Sequence, residues 1–173
     1  MKARHLPTAD LLGLPGLIRQ SLREHAAGSS PTRDWRLLAT WKAGSAASEA
    51  GPLLVSLTQY TPHRLSDLFD IWRTADILGD ELTGMDHAYG VVTYLQPGRR
   101  RVGSLSVWTD ESGLRAFVGL PYHCEVMRKY RPRGLPLRSA KWWSDDFRLG
   151  IAMAEGQDLL DASQDRRVER DRS

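Results

Sequence analysis

His123 offers the most chemistry of any single side chain. On the segment from Pro121 to Tyr130, helical spacing groups it with Val126, Met127 and Tyr130. An imidazole in such an apolar setting can act as a general base, hydrogen-bond a ligand, or bind haem iron through its neutral ring. The competing use is structural, with the ring satisfied by a backbone carbonyl, because buried polar groups are generally paired. Trp108, Trp142, Tyr89 and Tyr94 fall on strand-like runs. From there they could line a pocket for a planar substrate or simply fill the core.

Other reactive side chains lack partners. His63 and His87 have no nucleophile or third group beside them. Cys124 follows His123 directly, but adjacent helical residues diverge by about 100°. The two therefore make no nucleophile–base pair, and a buried, inert thiol is expected. Asp80-Glu81 and Asp145-Asp146 lack the histidines of a carboxylate–histidine metal site. No metal is expected, apart from iron at His123 if haem is bound. There is no H-E-x-x-H, P-loop, nucleophile elbow or G-x-G-x-x-G strand-to-helix signature.

These residues must be positioned by an alternation of strands and helices. Leu53 to Tyr60 is rich in strand formers, and Thr61-Pro62 reads as an N-cap followed by proline at the first helical position. Leu65, Leu68, Phe69, Trp72 and Ala75 then form an apolar helical stripe expected to end near Leu78. Ala88 to Leu95 and Val102 to Trp108, joined by Gln96-Pro97-Gly98-Arg99, read as an antiparallel hairpin. Asp110 can cap a helix broken at Gly119 and Pro121, with a second helical piece over Tyr122 to Tyr130. Leu137 to Trp143 reads as a last strand and Asp146 to about Leu160 as a terminal helix. The order is βαββαβ, a ferredoxin-like α+β core. The expected organisation is an N-terminal extension over 1–52, the core over 53–147, and a C-terminal helix and fraying charged tail over 148–173. Within the extension, a helix is expected over 8–25, followed by strand-like alternation from Trp35 to Lys42.

Alternation within the strands separates two faces. Leu54, Ser56, Thr58 and Tyr60 are more mixed than Leu53, Val55 and Leu57, and Ser104, Ser106 and Trp108 are more polar than Leu105 and Val107. Helices should cover one face and leave the other to be buried by something else. The mixed face is assigned to that second role, as the lining of a pocket for a small organic ligand.

With 173 residues, 41% hydrophobic and 26% charged, the chain can bury a core without disulfides, and its single cysteine excludes an internal one. The stretch from Met1 to Ile18 is too short and too interrupted, by Asp10 and Pro15, for a secretory signal. A cytoplasmic, reducing setting is expected, with no membrane span. The net charge of +3 is mild. Its two basic clusters, at 99–101 and 128–133, read as a solvated turn and a helix end that could at most touch phosphates, so no nucleic acid is expected.

The run from Ser106-Val107-Trp108-Thr109-Asp110 through Leu114-Arg115-Ala116-Phe117, then His123 to Arg128 and Trp142-Trp143, resembles a known pattern. It is similar to the S-x-W-x-[DE]…L-R-A-F…H-x-x-x-[MV]-R…W-W pattern of small antibiotic-biosynthesis-monooxygenase-type domains and, more distantly, of spheroidene monooxygenase. The resemblance covers roughly 53–147. It implies a homodimer whose sheets meet face to face in an α+β barrel, a small-molecule ligand, and either no cofactor or haem. It also places histidine at position 123. The function expected is a monooxygenase-like biosynthetic enzyme acting on an apolar, aromatic or polyketide-like substrate. A cyclase or isomerase using the same pocket, and a ligand-binding protein without turnover, are the alternatives.

Overall fold

The computed structural model describes residues 37–171, with side chains over 39–163. The helix expected over 8–25 and Trp35 lie outside the described residues. Six strands form one antiparallel sheet: β1 (Leu37–Leu38), β2 (Lys42–Ala43), β3 (Leu53–Tyr60), β4 (Ala88–Gln96), β5 (Arg101–Trp108) and β6 (Arg138–Ser144). Among the described residues four α-helices accompany them: α1 (Leu65–Thr83), α2 (Glu111–Val118), α3 (Pro121–Tyr130) and α4 (Leu149–Asp171). The order β4-β5-β3-β6, with β1 and β2 both paired to the outer edge of β4, is the ferredoxin-like arrangement plus an edge segment.

The strand readings agree with the structure to within a residue or two because alternation and flanking turn residues act locally. β3 starts and ends where expected, and β4 and β5 form the expected hairpin in register from Gln96↔Arg101 to Ala88↔Trp108, with one irregularity at Ala88/Gly90. A single 3₁₀ turn over Pro97–Arg99 closes it, and Arg100 takes the left-handed conformation at φ 52.

The start of α1 differs from expectation. Thr61-Pro62 does not open the helix, which begins at Leu65 after Arg64. Pro62 instead bridges Gly134, the His63 amide donates to the Arg133 carbonyl (2.8 Å), and the Leu135 amide donates to the Thr61 carbonyl (2.9 Å). Long-range pairing thus outcompetes a local start signal. Asp110 does cap α2, accepting from the Ser112 amide at 2.7 Å. At the other end of the chain, α4 runs through Asp171, so regular helix continues into the charged stretch expected to fray.

The largest departure concerns what covers each face. Tyr60, Leu95 and Val102 pack with Leu68, Ile71 and Trp72 of α1, and Leu54, Val91 and Trp108 pack with Leu82, Leu114 and Phe117. The mixed face therefore lies beneath α1–α3, which corrects its assignment to the side left for a second copy. The opposite face, with Leu53, Val55, Leu57, Val92, Leu105 and Val107, is covered from within the chain by Ala152, Met153 and Leu160 of α4. A partner subunit is not needed to bury it. The edge segment is fastened as well: Lys42 pairs with Asp76 (3.0 Å) and Asp80 (2.6 Å) of α1, and the Trp41 ring occupies the space that a side chain at Gly90 would need.

α4 lies close to the sheet because Gly156 has no side chain. A Cβ there would stand 2.7 Å from Leu57 Cδ2 and 2.7 Å from the Trp142 ring. Gly156→Val should therefore lift α4 and lower stability by about 1–3 kcal/mol, read by urea denaturation. It should also open the 149–163 stretch to proteolysis before the rest of the chain.

Candidate functional site

The helix-covered face carries an unusual density of hydroxyls. Register aligns Thr93, Ser104, Thr58 and Ser139 across β4, β5, β3 and β6, and Ser106, Ser56 and Lys141 in the adjacent row. Thr58 and Ser104 hydroxyls lie 3.0 Å apart. Thr93 Oγ1 and Trp72 Nε1 are buried without a hydrogen-bond partner. Thr58 and Ser104 are only half-buried although β3 and β5 are central strands. The roof explains this, because α3 packs chiefly on α1, α2 and the Arg131–Arg133 turn rather than down onto β3.

His123 stands near one end of this strip. Its ring lies 5.0 Å from that of Phe117, which lies 5.8 Å from that of Trp108. Trp108 itself is fully buried, donates from Nε1 to Ser106 Oγ at 3.0 Å, and lies beneath Gly113, where a Cβ would be 2.8 Å from its ring. Burial pushes the His123 imidazole below its ordinary value of 6.5, and the Val118 carbonyl only partly offsets this. The ring is therefore neutral at pH 7 and able to accept a proton. Toward the other end of α3, Tyr60 donates to the Tyr130 carbonyl (2.5 Å) and Tyr130 to Asp70 (2.5 Å). The Tyr130 hydroxyl, with Lys129 at 3.2 Å, holds the Asp70 carboxyl below the usual carboxylate range.

The aromatic residues expected to share a pocket with His123 are divided by the sheet. Trp108 is on its side. Tyr94, Tyr89 and Trp142 belong to the cluster on the α4 side, where Tyr94 donates to the Thr58 carbonyl (3.1 Å) and Tyr89 meets Phe147 edge-on at 6.0 Å. Alternation placed each of them on a strand, but a one-residue difference in parity puts them on the opposite face. Cys124, expected to be buried, is exposed on α3, its thiol 3.5 Å from the Val118 carbonyl.

Phe117 packs against one side of the His123 imidazole. A cleft of about 450 Å³ lies at the opposite end of the hairpin, lined by Thr61, Gly98, Arg99, Arg100, Arg101 and Leu135. The arginine run was visible in the sequence, but its closure against Thr61 and Leu135 was not. Among the described residues, no cluster of three or more His, Cys, Asp or Glu could hold a metal ion, and no helix is long and apolar enough to cross a membrane.

Comparison with solved structures agrees with this architecture. A chain titled "Putative monooxygenase" from Fusobacterium nucleatum superposes with a TM-score of 0.51 at 8% identity, over 60% of this chain and 48% of that one, so the match spans about half of its length. Rv0793 from Mycobacterium tuberculosis aligns at TM-score 0.48 and 11% identity over 55% of this chain and 97% of its own. A "putative Antibiotic biosynthesis monooxygenase" from Chloroflexus aurantiacus gives 0.41 and 17% over 57% and 97%. No family model matches the chain, and no curated relative matches it. The likeness is one of fold alone: over its core the chain has a ferredoxin-like α+β fold.

Because the fold favours neutral His123, its contribution to stability is complete above the unfolded value near 6.5 and is lost as pH falls through the lower folded value. His123→Phe should therefore flatten the decline in stability below pH 6.5, and the imidazole resonances of the wild type should titrate below that pH in an NMR series.

Proposed function

We propose that this protein modifies a small apolar or aromatic molecule by monooxygenase-like chemistry on the hydroxyl strip beneath α3, with His123 as general base. The observation that carries this reading is the half-open pair Thr58 and Ser104 on central strands, roofed by the helix that bears a neutral imidazole. Hydroxyls can orient a phenol or enol through hydrogen bonds, and partial exclusion of water strengthens those bonds. The neutral ring takes a proton from an acidic CH₂ flanked by carbonyl or aryl groups. The resulting carbanion gives electrons to O₂, the co-reactant. A carbon–oxygen bond forms, the O–O bond breaks, and the second oxygen leaves as water, so that CH₂ and O₂ become C=O and H₂O.

Within this reading Trp108 supports the aromatic wall through Phe117, whereas Tyr94, Tyr89 and Trp142 act from the α4 side as packing. The protein would work in the reducing cytoplasm, where the exposed Cys124 remains a thiol. Pairing of two copies also belongs to the proposal, but through the free edge of β6, where Trp143 is 54% exposed, and not through the face that α4 covers.

The test is oxygen uptake and product mass with anthrone-like and enolisable aromatic substrates, alongside native mass spectrometry and an absorption spectrum of the purified protein. Uptake of O₂ that falls at least about 100-fold in His123→Ala, with folding intact, is expected. A product isomeric with its substrate and no O₂ uptake would replace this reading with a proton-shifting cyclase or isomerase. A Soret band lost in His123→Phe would instead establish haem. Light scattering should give a dimer that Trp143→Lys converts to monomer, and a monomeric wild type would remove the β6 interface.

A further inference from the structure

We propose that the end of the sheet at Arg101 is a second site, which binds a small oxyanion: the phosphate or carboxylate group of a metabolite. It is separate from the strip beneath α3, because the alternation of β5 puts Arg101 on the same face as Leu105, the face covered by α4.

Three consecutive arginines bring positive charge together there. The cleft of about 450 Å³ is bordered by Arg99, Arg100 and Arg101 together with Thr61, Gly98 and Leu135. Arg100 takes a left-handed backbone conformation and gives one guanidinium N–H to the His63 carbonyl at 3.0 Å, fixing the turn that forms the cleft wall. The Arg101 guanidinium, partly desolvated by burial, makes no hydrogen bond or ion pair among the described residues. The positive charges of Arg99 and Arg138 act on it, and Asp161, the acid that offsets them, is already paired with Arg138 at 3.1 Å.

A second observation points to the same place. Gln59 is 1% exposed, and neither its amide oxygen nor its amide nitrogen has a partner. It lies two residues before Thr61, and its register partners are Gly103, two residues after Arg101, and Arg138. This amide, buried with donor and acceptor both unused, lies one row inward from the arginines, behind the residues that line the cleft. Guanidinium groups would supply charge and paired N–H donors to the oxyanion, and the Gln59 amide NH₂ a further donor. Leu135 would border the less polar part of the ligand.

Isothermal titration of the full chain with inorganic phosphate, and separately with succinate, at constant ionic strength tests this. At least one should bind saturably and with unit stoichiometry, and Arg101→Gln should weaken it by about tenfold or more. Gln59→Leu, which removes the unpaired amide at similar volume, should raise the melting temperature of the free protein while weakening the same binding several-fold. Tighter phosphate would mark a phosphoryl ligand and tighter succinate a carboxylate, and either supports the site. Absence of saturable binding of both by about 10 mM, or binding unchanged in Arg101→Gln, would overturn it. His123→Ala should leave the titration unaltered, which separates this site from the one beneath α3.

Discussion

β3 is bonded along both edges, to β5 and to β6, and buried on both faces. A strand so placed needs cover on both sides, and apart from the half-buried Thr58 each layer of the protein supplies it. α1–α3 lie over Leu54 and Tyr60, while α4 lies over Leu53, Val55 and Leu57. Sheet-and-helix proteins of this size usually bury such faces by stacking layers. Here the third layer is supplied by the chain itself, and its approach depends on Gly156, where any side chain would strike Leu57 and Trp142.

The two faces of β3 meet the constraint differently. Its α4 side is apolar for most of its length and turns polar only at Gln59, whereas its helix side carries Ser56 and Thr58 in the middle of the sheet. A buried amide, hydroxyl or indole N–H left without a partner costs about 1–3 kcal/mol, a large fraction of the roughly 5–15 kcal/mol that holds a domain folded. Gln59, Thr93 Oγ1, Trp72 Nε1 and Trp142 Nε1 are all in this position. They would be expensive in a protein built only for stability. Thr93 and Trp72 belong to the α1-covered side and Gln59 adjoins the arginine-lined end, whereas Trp142 lies beneath α4 in neither candidate site.

His123 and Cys124 show how a single step along a helix, about 100°, can separate reactivity from exposure. The imidazole turns inward against Phe117 and loses basicity through burial, while the thiol, next in sequence, faces solvent. The Trp108–Phe117–His123 contact joins β5, α2 and α3, so the position of α3 is tied to the buried indole. Lys129, Tyr130 and Asp70 tie the other end of α3 to α1.

Much of this was legible from local signals. The extents of β3 to β6, the Asp110 cap, the break at Gly119 and Pro121, the burial of Trp72 and the βαββαβ order depend on alternation, helical spacing and turn residues within a few positions of one another. The existence of two unlike sheet faces was legible for the same reason. What lay beyond local reach was which layer each face would meet. Alternation reports that Leu54, Ser56, Thr58 and Tyr60 point one way, but it has no sign, and only the docking of α1 and α4 gives it one. The same missing sign separated Tyr94, Tyr89 and Trp142 from His123, and the Pro62–Gly134 bridge displaced a helix start that looked sound locally. The sequence by itself determined the elements and their order, because those follow from short-range sterics and periodicity. Tertiary structure alone decided the partners across the sheet, the exposure of Cys124, the isolation of the Gln59 amide and the cleft at Arg101, because each depends on segments far apart in the chain meeting at one place.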